Sequence, residues 1–409
     1  MLQFETLDRK YAQLLLKKCL NFINSDTLLI DYQTHEFDGF INILEEEAQK
    51  MNIKNIIKHI CDIDELHEYY KRTKIDDIKL NPLIDRSIWD EVARKNGCIL
   101  HIITYIPNIM NDVDQEKITK VFNIRSNTFN YYKQNNSKYA FPWNICAYPN
   151  KRWANYLFSD DPNSFDKLYN YIMQSCMIDK DNPIEEWDKY IKISNYYKNK
   201  LNELGIKKLY YKNNLGTNLE VGMPNNYQWL NLDKKDIFGN PIICNMPSYE
   251  IFTSPDYKSA KGIVYNSKPL IYEGKIIDKF YLEFKDGIVV NYKAQVGNDI
   301  LKSIIESCDN SNRIGEVALV NYDSPISNTN IIFYETLFDE NASCHMALGD
   351  GFHKAIINSE KLNSQELKKY GINESNIHVD YMIGTNDLDI IADTKEGKKL
   401  IFKNGNFNI

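Results

Sequence analysis

Residues 276–294, Ile276-Ile277-Asp278-Lys279-Phe280-Tyr281-Leu282-Glu283-Phe284-Lys285-Asp286-Gly287-Ile288-Val289-Val290-Asn291-Tyr292-Lys293-Ala294, decide the architecture of the second half of this chain. Two strand-like runs, Ile276 to Phe284 and Ile288 to Ala294, flank Lys285-Asp286-Gly287. An Asp-Gly pair between such runs is a strong hairpin signal, because both residues tolerate the positive φ of a tight turn. Lys207 to Val221 is strand-like too, and Asp299 to Cys308 has the spacing of an inserted helix. Residues 206–409 therefore read as a mainly antiparallel α+β domain.

Upstream of Gly205 the texture differs. Tyr11, Ala12, Leu14, Leu15, Leu16, Cys19 and Leu20 recur at helical spacing, Thr27 to Ile30 is a short apolar strand, and Phe40 to Met51 returns to helix. A helix from about Ile84 to Ala93, just after Pro82, precedes the strand Gly97 to Ile103. Another strand, Phe141 to Pro149, is stopped by proline and followed by a helix from Arg152 to Leu157. A long amphipathic helix, Pro183 to Leu204, ends at Gly205, a common left-handed helix stop. Strand-then-helix order predicts an α/β domain over residues 1–205, with a parallel sheet covered by helices. No repeat, low-complexity tract or Pro/Ser-rich linker separates the two parts, which predicts closely joined domains.

The chain has 409 residues, 43% hydrophobic and 26% charged, the balance of an ordinary globular protein with a sizeable core. Its net charge of −7 argues against nucleic acid as a partner, since phosphate contacts need a surplus of Lys and Arg on one face. The best apolar stretch, Cys98 to Met110, is interrupted by His101, Pro107 and Asn108, so no membrane span is predicted. The first residues carry acids and no basic segment ahead of an apolar run; the expectation is a cytoplasmic protein. Eight cysteines include no Cys-x-x-Cys pair and are expected to be reduced, mostly buried, small apolar residues. His35-Glu36 and His67-Glu68 lack the second histidine of a helical zinc motif, and Gly349-Asp350-Gly351 lacks the third glycine of a dinucleotide loop, so no nucleotide cofactor is expected.

What remains is a constellation of metal-ligand types in short apolar segments of the second domain: Glu250, Glu316, the run Asp339-Glu340-Asn341-Ala342-Ser343-Cys344-His345, and His378-Val379-Asp380. Buried Glu and Asp are rare unless paired or bound to metal. Carboxylates can bridge two cations while imidazoles fix the geometry of each, so the set reads as a co-catalytic metal centre. Ile377 to Ile383 alternates as a strand does, which points His378 and Asp380 to one face. Cys344 beside His345 invites a Cys/His nucleophile, but neighbours in a strand point to opposite faces.

From Asn245 to Asp256 the sequence resembles the aminopeptidase T and aminopeptidase S family of co-catalytic metallopeptidases. The likeness continues through Gly315 to Val320, Ser324 to Ser327, Phe333 to Gly349 and Ile377 to Gly384, in the same order. The resemblance implies that Glu250, Glu316, Glu340, His345, His378 and Asp380 hold two divalent ions, of zinc, cobalt or manganese. It implies release of N-terminal residues from short peptides through a two-metal-activated water, and a homodimer with its active sites facing an internal cavity. Glu316 is the candidate proton carrier, and the bridging-ligand role is equally open to it. One departure stands out: the family has a tyrosine where this chain has Phe352. His353 or Tyr381 could replace its hydroxyl; otherwise the alternatives are a metal-binding relative with weak or no peptidase activity, or another metal-assisted amide hydrolase.

Overall fold

A computed structural model describes residues 2–128, 130–136, 138–159, 161–359 and 362–409. The chain forms two compact units, one of Met1–Asp188 with Asp233–Pro247, the other of Lys189–Leu232 with Ser248–Ile409. The expected cut at residue 205 falls inside the second unit, and the segment 233–247 returns to the first.

The first unit is built on a five-stranded parallel sheet. In spatial order its strands are Asn245–Met246, Trp143–Ala147, Cys98–Ile103, Thr27–Tyr32 and Asn55–Ile60. Leu28, Leu29, Ile30, Ile99 and Leu100 are fully buried, the mark of a parallel sheet covered on both faces. The helix expected from Ile84 begins at Ser87, because residues 81–85 are taken up by turns that Asn81 closes. Two strands of this sheet escaped the sequence reading. Asn55–Ile60 is a half-exposed edge with no clear apolar alternation, and Asn245–Met246 is two residues long. His101 is a satisfied core histidine: Nδ1 bonds Asp31 at 3.0 Å and Nε2 bonds the Tyr132 hydroxyl at 2.9 Å.

In the second unit the hairpin forms as expected, with Lys275–Lys285 antiparallel to Ile288–Val296. Asp286 and Gly287 both take positive φ, 52° and 75°. A Cβ at Gly287 would lie 2.0 Å from the Tyr257 carbonyl oxygen, so the turn requires glycine twice over. This hairpin belongs to a nine-stranded sheet. A separate five-stranded antiparallel sheet has the order His378–Met382, His345–Gly349, Ile314–Leu319, Ile251–Thr253, Leu230–Asn231. Ile251, Val317, Leu319, Met346, Leu348, Val379 and Tyr381 from one face of that sheet join the main hydrophobic core. Alternation then sends Glu316, His345, Ala347, His378 and Asp380 to the other face. No helix among the described residues is long and apolar enough to cross a membrane.

Candidate metal centre

Register brings the polar face together. Glu316 pairs with Ala347, and Ala347 with Asp380, so two carboxylates flank one small side chain at the same level of the sheet. One level along, His345 lies between Ala318 and Met382. His378 pairs with Gly349. Glu250 enters immediately before the strand Ile251–Thr253. Ala347 places only a methyl group between Glu316 and Asp380. The pairing shifts between Ile314 and Glu316, and a Cβ at Gly315 would lie 2.3 Å from the carbonyl oxygens of both Gly349 and Asp350. Such an irregularity re-aims the side chain that follows it, here Glu316.

Both histidines are oriented by carbonyl oxygens, which can only accept. His345 Nδ1 donates to the Glu340 carbonyl at 2.8 Å, and His378 Nδ1 to the Asp350 carbonyl at 2.8 Å. Each Nε2 is thereby turned toward carboxylates: His345 to Glu250 at 3.2 Å, His378 to Glu316 at 3.1 Å and to Asp380 at 3.3 Å. This is the arrangement in which a neighbouring carbonyl fixes the tautomer of a metal-binding imidazole.

Burial and mutual charge perturb the titration of these groups. Burial, then the charges of Asp380 and Glu250, push Glu316 up to about 7. Burial and the charges of Asp380 and Glu250 likewise raise Glu340 well above the carboxylate range. Burial would lower His345, but its bond to Glu250 and the charges of Glu250, Glu316 and Asp380 outweigh it and bring it to about 10. Burial would raise Asp380, yet the His378 imidazole outweighs it and holds that carboxyl low. Asp380 Oδ1 is buried and, apart from its ion-pair contact with His378, has no hydrogen-bond partner among the described residues. Oxygen and imidazole donors crowded this way fit a divalent cation, and the mixed set suits zinc, cobalt or manganese.

Two overlapping groups emerge. Ligand atoms of Glu250, Glu316 and His345 lie within 4.8 Å of one another, as do those of Glu316, His378 and Asp380. Glu316 is common to both. Glu340 lies outside these two groups, although its charge interacts with Glu250, Glu316 and Asp380. Asp339 serves its own turn, accepting the Phe333 N–H at 2.9 Å. Cys344 is buried against Val320, and burial pushes its thiol to about 12, which removes the nucleophile reading.

Phe352 packs against His378 and Phe252. Its ring lies 5.2 Å from the His378 ring and 4.8 Å from Phe252, and its N–H donates to Ser254 Oγ at 2.7 Å. Tyr381 does not supply the missing hydroxyl. It is on the core face, with its O–H 3.7 Å from Met346 Sδ. His353 lies in the one-turn helix His353–Ala355 and belongs to neither group. Sequence reasoning also missed Asn341, whose signal was its place inside the Glu340-to-His345 run.

Imidazoles and carboxylates converging on one face of a buried sheet define a metal-dependent enzyme. The chain belongs to the family described as thermophilic metalloprotease (M29), which it matches over residues 4–407, and it is a peptidase of the hydrolase class that uses divalent metal. Aminopeptidase 2 of Geobacillus stearothermophilus is 33% identical over 405 residues, covering 97% of each chain. Aminopeptidase AmpS of Bacillus subtilis is 31% identical over 400 residues, again 97% of each. The solved structure of wild-type AmpT from Thermus thermophilus shares the fold, with a TM-score of 0.87 at 23% identity over 99% of this chain and 100% of that one.

Proposed function

We propose that this protein is an aminopeptidase that removes N-terminal residues from short peptides, with two divalent ions per chain held by Glu250, Glu316, Glu340, His345, His378 and Asp380. The observation that carries the reading is the position of Glu316 in both ligand groups. Its relatives bear aminopeptidase names, which supports the choice of substrate. When bound, a metal pair supplies Lewis acidity and an activated water for amide hydrolysis. The chain's own residues do the rest.

Glu316 is the proton carrier in this reading. Its buried carboxylate can take a proton from water and return it to the leaving amine. His345 and His378 keep their Nε2 atoms aimed inward through the Glu340 and Asp350 carbonyls. Phe352 and Phe252 form an aromatic wall beside His378 that limits water on that side. The working form is a homodimer of this chain.

The test is hydrolysis of a leucyl peptide with a free N-terminus against its N-acetylated twin, with added zinc, cobalt or manganese and then with chelator. The expected result is metal-dependent cleavage of the free peptide alone. Equal cleavage of both would point to another amide hydrolase, and cleavage of neither to a relative without peptidase activity.

A further inference from the structure

We propose that Asn341 is a positioning residue that clamps the Glu250 segment to the Glu340 segment beside the candidate metal centre. The inference rests on the reading of this site as a metal centre.

Asn341 is fully buried, and both polar atoms of its side chain bond to these two segments. Its Oδ1 accepts the N–H of Tyr249, the residue before Glu250, at 2.6 Å. Its Nδ2 donates to Glu340 Oε1 at 3.3 Å and to the Leu337 carbonyl at 2.9 Å. The Tyr249 carbonyl in turn accepts the Tyr190 hydroxyl at 2.7 Å, with the two rings 5.0 Å apart and edge to face. The Tyr249 residue is therefore held at both its N–H and its C=O by side chains, and one of them also holds Glu340.

The physical need for a clamp lies in the charges. Glu250 and Glu340 are both carboxylates, and the charge of Glu250 acts unfavourably on that of Glu340. A lysine or arginine could hold them, but its positive charge would compete with the metal. An amide holds them without adding charge. It also engages one oxygen of Glu340 and leaves the other for a ligand, so binding needs less reorganisation.

The experiment measures the zinc dissociation constant of the full chain by chelator competition, alongside the melting midpoint of the metal-free protein. Asn341→Ala is expected to weaken zinc binding by roughly 10- to 100-fold, as loss of an orienting partner does. Tyr190→Phe removes only the outer hydroxyl and is expected to weaken zinc by a smaller factor; it carries the test if Asn341→Ala does not fold. Asn231→Ala is the control: Asn231 is a buried amide bonded to Ser194 and Asn195, and its loss is expected to lower the midpoint and leave zinc affinity unchanged.

Unchanged zinc affinity in Asn341→Ala, or a change matched by Asn231→Ala, overturns the proposal and leaves the metal centre intact. Unchanged affinity in Tyr190→Phe does the same if that variant alone folds. Failure of the unmutated chain to bind zinc, cobalt or manganese overturns the metal reading, and the clamp with it.

Discussion

Glu316 and Asp380 stand at one level of the five-stranded sheet with a single alanine, Ala347, between them. The methyl group at 347 is therefore the floor of the space in which the ligand groups meet. Ala347→Val adds two carbons to that floor. The fold is expected to persist, with an overpacking cost of about 1–3 kcal/mol, while bound metal per chain falls by half or more. Elemental analysis of the dialysed protein checks this, and wild-type metal content in Ala347→Val would show that the space lies elsewhere.

Glu316→Gln keeps the shape and one acceptor oxygen of the shared residue but cannot carry a proton. Peptidase turnover at saturating metal is expected to fall by about 10²–10⁴, the range for loss of a general acid-base group. Stopped assays with metal content measured on the same sample separate this loss from loss of ligand. Activity that survives the substitution means the hydrolysis comes from another site.

Phe352 faces His378 without a hydroxyl. Phe352→Tyr adds an O–H donor to that ring. If the ring stays in place, kcat is expected to rise by on the order of 10- to 100-fold, by the logic of a donor that meets developing oxyanion charge. KM should change little, because the bond strengthens in the transition state. A lower KM with unchanged kcat would mean that the hydroxyl only binds substrate.

Asp8 gives a pH prediction in the first unit. Burial raises its carboxyl from 3.8 to about 6, despite hydrogen bonds from the Tyr169 and Tyr148 hydroxyls. A raised pKa in the folded state means tighter proton binding when folded. The stability it contributes is complete below pH 3.8 and is lost as pH rises toward 6 and beyond. The loss approaches ~3 kcal/mol at neutral pH, at 1.36 kcal/mol per unit. Asp8→Asn has no charge to bury and should flatten this fall. Denaturant midpoints at pH 4 and pH 7.5 test it; an equal pH dependence in both proteins would rule the group out.

The parts of the fold legible in sequence were those with strong local signals. Asp286-Gly287 specified its turn, and the helix Pro183–Leu204 was bounded by its own proline and glycine. Asn55–Ile60 was not legible, because a half-exposed edge strand lacks an apolar face to announce it. In the site, His378 and Asp380 could be put on one face from alternation alone. That same alternation should have excluded Tyr381 as the replacement hydroxyl, since it is one residue away from Asp380.

By itself, then, the sequence determined the donor types, the alternation within each strand and the order of the two architectures, since all of these depend on neighbours a few residues apart. Tertiary structure alone decided which donors meet. Register across strands distant in sequence puts Glu316, Ala347 and Asp380 in one row, the irregularity at Gly315 aims Glu316 into both ligand groups, and Asn341 ties the Glu250 segment to the Glu340 segment. No local pattern encodes these relations, because a shift of one residue in pairing would turn every ligand to the opposite face.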